Sequence, residues 1–139
     1  MIEKQMQTTW TKHIRSNPPN QSEVWELKIV KTKSLRFDAI RPHQRKALLD
    51  AKTVGLYHKL QDIPVTYYSS KSRFTHHSPF DCMFLKDIKA YVVVWFYKPR
   101  KQKVFLKIEI DDFIALENST DRKSFTEDMA MAVGKPVFV

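Results

Sequence analysis

Apolar and polar positions alternate along residues 22–31. Val24, Glu26, Lys28 and Val30 fall on one face of a strand, and Trp25, Leu27 and Ile29 on the other. The segment before it, residues 3–16, reads as a short polar helix that stops at the breaker Asn17-Pro18-Pro19-Asn20. Pro42 suits the first position of a second helix, whose apolar stripe of Ala47, Leu48 and Ala51 runs to about Thr53. Residues 54–61 predict a short strand, and residues 67–78 a polar loop. Three further strands are expected at 80–85, 90–98 and 103–110, joined by short polar links as an antiparallel meander. The run AYVVVWFY at 90–97 is apolar on both faces, as a central strand covered on both sides must be. Near the end, Ser124 to Glu127 matches a capping box, and Gly134 stands where a helix would terminate. The sum is an α/β chain with a mixed central sheet flanked by helices, and no internal repeat or low-complexity segment.

Length and composition narrow this picture. The 139 residues suit a single domain over 1–139, with residues 1–20 as its N-terminal helix and proline-containing linker. With 42% hydrophobic and 12% aromatic residues the chain has the material for a packed core. It has two glycines, Gly55 and Gly134, so a glycine-rich phosphate loop or dinucleotide fingerprint cannot be built. The single cysteine, Cys82, excludes an internal disulfide and a multi-cysteine zinc site, and its apolar surroundings predict a small core residue. No secretory leader is legible in residues 1–16, and the longest apolar run, eight residues, is too short to span a bilayer. The expectation is an intracellular, cytoplasmic protein with no membrane partner.

Charge changes the functional picture more. The net charge is +9 and the pI about 9.7, which favours a polyanionic partner and nucleic acid first. Between Lys28 and Lys46 seven basic residues (Lys28, Lys31, Lys33, Arg36, Arg41, Arg45 and Lys46) stand against Asp38 alone. From Glu109 to Asp128 the balance reverses, with seven acids against Arg122 and Lys123.

Within the basic region lies a pair with chemical potential. Glu26 and Lys28 project from the same face of a strand, roughly 7 Å apart along it. A carboxylate there suits an oxygen-seeking divalent cation, and an ammonium suits a scissile phosphate or its attacking water. By itself E-x-K is also what an exposed ion pair on an edge strand looks like. In this chain it is followed by a basic segment containing Ser34-Leu35-Arg36-Phe37 and by His43-Gln44 at a helix start. That succession resembles the PD-(D/E)XK nuclease superfamily, and within it the RecU-type Holliday-junction resolvases and their phage and archaeal relatives. Pro79-Phe80-Asp81 resembles the family's "PD" element, and the similarity spans about residues 22–98. The order departs from the family's, because Asp81 follows Glu26 by 55 residues instead of preceding it.

The resemblance implies a restriction-endonuclease-like fold and Mg²⁺ as cofactor, with Mn²⁺ as a substitute. It implies Asp81 and Glu26 as metal ligands, Lys28 as the residue that orients water and stabilises charge, and Gln44 in support. It further implies a homodimer acting on branched DNA. Lys31, Lys33, Arg36, Arg41, His43, Arg45 and Lys46, joined by Lys71 and Arg73 in the aromatic-bearing loop with Tyr67, Tyr68 and Phe74, are the expected nucleic-acid contacts. Two other readings stay open: a non-catalytic nucleic-acid-binding module with the same fold, and a small basic partner protein that uses its acidic C-terminal third for contact.

The remaining candidates are weaker. Glu23 faces away from Glu26, and Glu3 on the first helix reads as a solvated charge or an auxiliary ligand. Glu109, Asp111 and Asp112 suit helix capping. His76-His77 are too close in sequence to share one metal readily, and no serine has nucleophile-elbow glycines. Trp95, Phe96 and Phe84 are expected in the core.

Overall fold

The computed structural model of this chain describes residues 2–59 and 82–139. Its centre is a four-stranded mixed sheet in the order β1-β5-β6-β8, formed by β1 (Glu23–Val30), β5 (Lys89–Phe96), β6 (Val104–Glu109) and β8 (Lys135–Phe138). β1 runs parallel to β5, while β5–β6 and β6–β8 are antiparallel. The remaining strands form two small pairs, β2 (Ser34–Arg36) with β7 (Ser124–Thr126), and β3 (Leu56–Lys59) with β4 (Cys82–Leu85).

Both faces of the sheet are covered, which explains the doubly apolar β5. Val92, Val93 and Val94 are all fully buried. Burying each such side chain contributes roughly 1.5–3 kcal/mol. On one face α1 (Ile2–Ser16) sets Met6 and Trp10 against Val93, Trp95 and Phe105, with Trp25, Leu27 and Ile29 packed alongside. The other face carries α2 (Pro42–Lys52), α3 (Ile110–Ser119) and α4 (Glu127–Val133). There Phe37, Ile40 and Leu48 join Val92, Val94, Phe113 and Phe125, and Val24 packs at the margin. The alternation read in β1 is therefore the alternation of the fold: odd positions face α1, even positions face α2. None of the described helices is long and apolar enough to cross a membrane.

Several local expectations are corrected. The three-stranded meander does not form, because β4 pairs with β3 and, of the three strands expected in it, β5 and β6 alone pair with each other. The link into β5 turns at Asp87 (φ 55°), and the Ile88 N–H donates to the Ala51 carbonyl at 3.1 Å, which ties this link to the end of α2. Phe84 is half exposed instead of buried, lying against Tyr57 with ring centroids 4.9 Å apart. Its ring also lies over Gly55 (φ 102°), where a Cβ would fall 2.0 Å from Phe84 Cζ. Cys82 is exposed, not a core residue. Ser124 belongs to β7, since the burial of Phe125 keeps the chain extended there, and Thr126 caps α4 by accepting from the Met129 N–H. Gly134 does end α4 but in an extended conformation (φ −102°), so what it supplies is space, with Ala130 O and Ile108 Cγ1 each 2.9 Å from any Cβ. Asp111 and Asp112 lie in the first turn of α3, where negative charge complements the helix dipole.

Candidate active site

Three residues anticipated from the sequence meet at the edge of the sheet. Even-numbered positions of β1 face α2, so Glu26 and Lys28 point toward the start of that helix. Gln44 stands in its first turn and accepts a hydrogen bond from the Arg41 N–H through Oε1 at 2.9 Å. That bond satisfies one of the unpaired donors at a helix start and turns the other end of the amide outward. Gln44 Nε2 then donates to Glu26 Oε1 at 2.7 Å, and Lys28 Nζ lies 3.1 Å from the same oxygen. Both donors converge on Oε1, and no donor to Glu26 Oε2 is found among the described residues.

The site is partly sheltered: the Glu26 and Lys28 side chains are 26% and 24% exposed. The carboxylate is thus held by an amide and an ammonium while one oxygen faces outward. This is a suitable first ligand for a hard cation, which needs further oxygen ligands. Asp81, the expected second carboxylate, lies outside the described residues, as do Lys71 and Arg73. Among the described residues no group of three or more metal-ligating side chains is assembled. Glu3 and Lys28 also line a cleft of about 220 Å³ alongside β1, together with Met6 and Leu27.

The basic run divides. Lys31, Lys33, Arg41 and His43 are exposed and face solvent around the end of β1 and the start of α2. Arg36 and Lys46 are exposed too, each paired with a nearby acid, Asp38 at 2.6 Å and Asp50 one helical turn away. Hydrogen bonding to Asp38 raises the Arg36 pKa further. Arg45 departs from the expected role. Its guanidinium donates to Ile40 O at 2.9 Å and Phe37 O at 2.6 Å, is paired with both oxygens of Glu117, and stacks over Phe113 at 5.4 Å. Its donors are spent on fastening α2 to α3 and to the turn at Phe37–Ala39, so it serves the fold and not a phosphate.

A second polar cluster lies on the opposite face. Glu23 Oε2 accepts from Trp25 Nε1 at 2.9 Å and from Lys107 Nζ at 2.6 Å, and Lys107 sits 4.2 Å from the centre of the Tyr91 ring. Burial raises the Tyr91 pKa, and the Glu23 and Glu109 carboxylates add to the rise. Glu23 faces away from Glu26, as its odd position requires. Its cross-strand partner on β6, 84 residues on, left no local signal in the sequence. Lys52 closes the far end of α2 by pairing with Asp111 and Glu109, and the hydrogen bond to Asp111 raises its pKa.

No family model, curated protein or solved structure matches this chain.

Proposed function

We propose that this chain is a metal-dependent endonuclease of the PD-(D/E)XK type, acting on branched DNA such as a Holliday junction as a homodimer. The supporting observation is the convergence of Gln44 and Lys28 on one oxygen of Glu26. Residues 18 positions apart, which the succession of an E-x-K strand and a helix-start glutamine likens to that family, make a 2.7 Å hydrogen bond. An ordinary edge-strand ion pair needs only Glu26 and Lys28, and does not call for a helix-start glutamine directed at the same carboxylate.

In this reading Glu26 and Asp81 would hold Mg²⁺, with Mn²⁺ as a substitute, and the bound cation would supply Lewis-acid chemistry at the scissile phosphate and lower the pKa of water. The chain's own residues do the rest. Gln44 fixes the Glu26 carboxylate so that the same oxygen always faces outward. Lys28, held 3.1 Å from Oε1, presents an ammonium that orients the attacking water and stabilises charge building on the phosphate. Lys31, Lys33, Arg41 and His43, exposed nearby, bind the DNA backbone and make affinity fall with salt.

The test compares four-way junction, flap and linear duplex in Mg²⁺ and in Mn²⁺, with binding measured on the same substrates. Metal-dependent cleavage of branched DNA, lost in Lys28→Ala and Asp81→Asn, is the expected result. Binding to every substrate without cleavage of any would favour the non-catalytic nucleic-acid-binding module. Cleavage unchanged in both variants would refute the site.

A further inference from the structure

Among the described residues β1 is an edge strand, with no strand paired to its outer side. Its sequence with the following lysine, EVWELKIVK over residues 23–31, has an unusual symmetry about Leu27. Reading outward from Leu27, Glu26 mirrors Lys28, Trp25 mirrors Ile29, Val24 mirrors Val30, and Glu23 mirrors Lys31. Apolar positions mirror apolar ones, and each charge mirrors its opposite. An antiparallel strand pair related by a two-fold axis brings mirrored positions face to face. We infer that β1 pairs with β1 of a second copy of this chain, antiparallel and centred on Leu27, to join the two sheets into one.

The hydrogen-bond phase of β1 agrees. The Tyr97 N–H donates to the Val30 carbonyl at 2.7 Å, so Val30 directs its backbone toward β5. Alternation along a parallel pair then places the backbone groups of Glu26, Lys28 and Val24 on the β5 side too. Trp25, Leu27 and Ile29 turn their N–H and C=O groups outward. Pairing Leu27 with the partner's Leu27, and Trp25 with the partner's Ile29, satisfies about six of these groups in matched bonds. Glu26 and the partner's Lys28 then occupy a non-hydrogen-bonded pair, the closer kind, with Cα atoms about 4.5 Å apart. The resulting square of charges alternates in sign around all four sides.

The same charges select the register. A slip that keeps the hydrogen-bond phase, with its centre on Glu26 or on Lys28, sets Glu26 against the partner's Glu26 or Lys28 against the partner's Lys28. Parallel pairing in register sets like against like as well, and like charges directly opposite are destabilising. Shape adds to this. The clefts along β1 share Gln7 and Leu27, then Ile14 and Trp25, and so make a continuous groove lined by both apolar and polar side chains. In the pairing inferred, Trp25 and Ile29 of the second β1 would lie beside that groove. The inference stands on β1 alone and does not depend on metal binding.

The test is sedimentation over micromolar to millimolar protein for wild type, Glu26→Lys, Lys28→Glu and the double charge reversal. Wild type is expected to dimerise. Each single reversal sets like charges opposite and is expected to weaken the dimer at least about tenfold, while the double reversal restores it. Leu27→Pro removes an outward-facing N–H that the protomer's own sheet does not use, and is expected to give a folded monomer by circular dichroism. A wild type that stays monomeric throughout, or a dimer indifferent to the single reversals, would overturn the pairing. The two readings part here, because the doubly reversed protein is expected to dimerise and yet lacks the proposed catalytic pair. Junction cleavage by a monomeric wild type would overturn the pairing alone.

Discussion

Replacing Gln44 with glutamate probes the candidate site without changing its shape. The new side chain keeps an oxygen for the Arg41 N–H, so the start of α2 stays capped. What changes is the group 2.7 Å from Glu26 Oε1, where an amide donor becomes a second carboxylate. Two anions about 3 Å apart repel by about 5 kcal/mol at an effective dielectric of 20. Lys28, 3.1 Å from the same oxygen, offsets much of this, and side chains about a quarter exposed are further screened by water. A net cost of roughly 1–3 kcal/mol remains, or a melting temperature lowered by roughly 4–10 °C at pH 8 for a chain of this size. Protonation of either carboxylate removes the repulsion, so the deficit shrinks as pH falls. A divalent cation between the two carboxylates removes it as well, so millimolar Mg²⁺ is expected to raise the melting temperature of this variant more than that of wild type. Thermal melts at pH 5 and pH 8, with and without Mg²⁺, read all of this. A variant that melts like wild type at both pH values would refute the contact between Gln44 and Glu26. Recovery at low pH without any response to Mg²⁺ would leave the contact standing and count against metal ligation.

Three other expectations follow from the packing. Arg45→Ala leaves the Glu117 carboxylate and two carbonyls without their donor, and is expected to cost about 2–4 kcal/mol in denaturant melts, while DNA affinity measured on the folded fraction changes little. Gly55→Ala forces a Cβ into the Phe84 ring at a positive φ; it is expected to shift the Tyr57 and Phe84 ring resonances and to cost about 1–2 kcal/mol. In alkali, Tyr91 and Lys52 both have raised pKa values, so the stability they contribute is complete below their unfolded-state values near pH 10 and is lost as pH rises through the folded ones. Tyr91→Phe is expected to flatten the alkaline fall in melting temperature, and an unchanged profile would contradict that origin.

What was legible in the sequence was what local periodicity encodes. The two faces of β1 and the stripe of α2 could be read directly because each burial decision repeats within a few residues. Gln44 could be placed beside Glu26 only through resemblance to a family, since 18 residues separate them and periodicity says nothing about how a strand and the next helix meet. The partner of β4 was misread. A short apolar run says that a strand forms but not against what; β4 pairs with β3, and the link at Ile88 is tied to α2. The parallel pairing of β1 with β5 joins Glu23 to Lys89, a separation on which strand patterns are silent. Arg45 was misassigned for a related reason. In a run of basic residues it looks like its neighbours, and only Glu117, 72 positions later, marks it as internal.

The proposed nuclease activity requires that Glu26, Lys28 and Gln44 form part of a phosphodiester-cleaving site. Single-turnover cleavage of a four-way DNA junction in Mg²⁺ by wild type and by Lys28→Ala tests it most directly. Metal-dependent cleavage by wild type is expected, with a fall of about 100-fold or more in the variant and junction binding kept within severalfold. Equal rates from the two proteins, or the same rate without the metal, would contradict it.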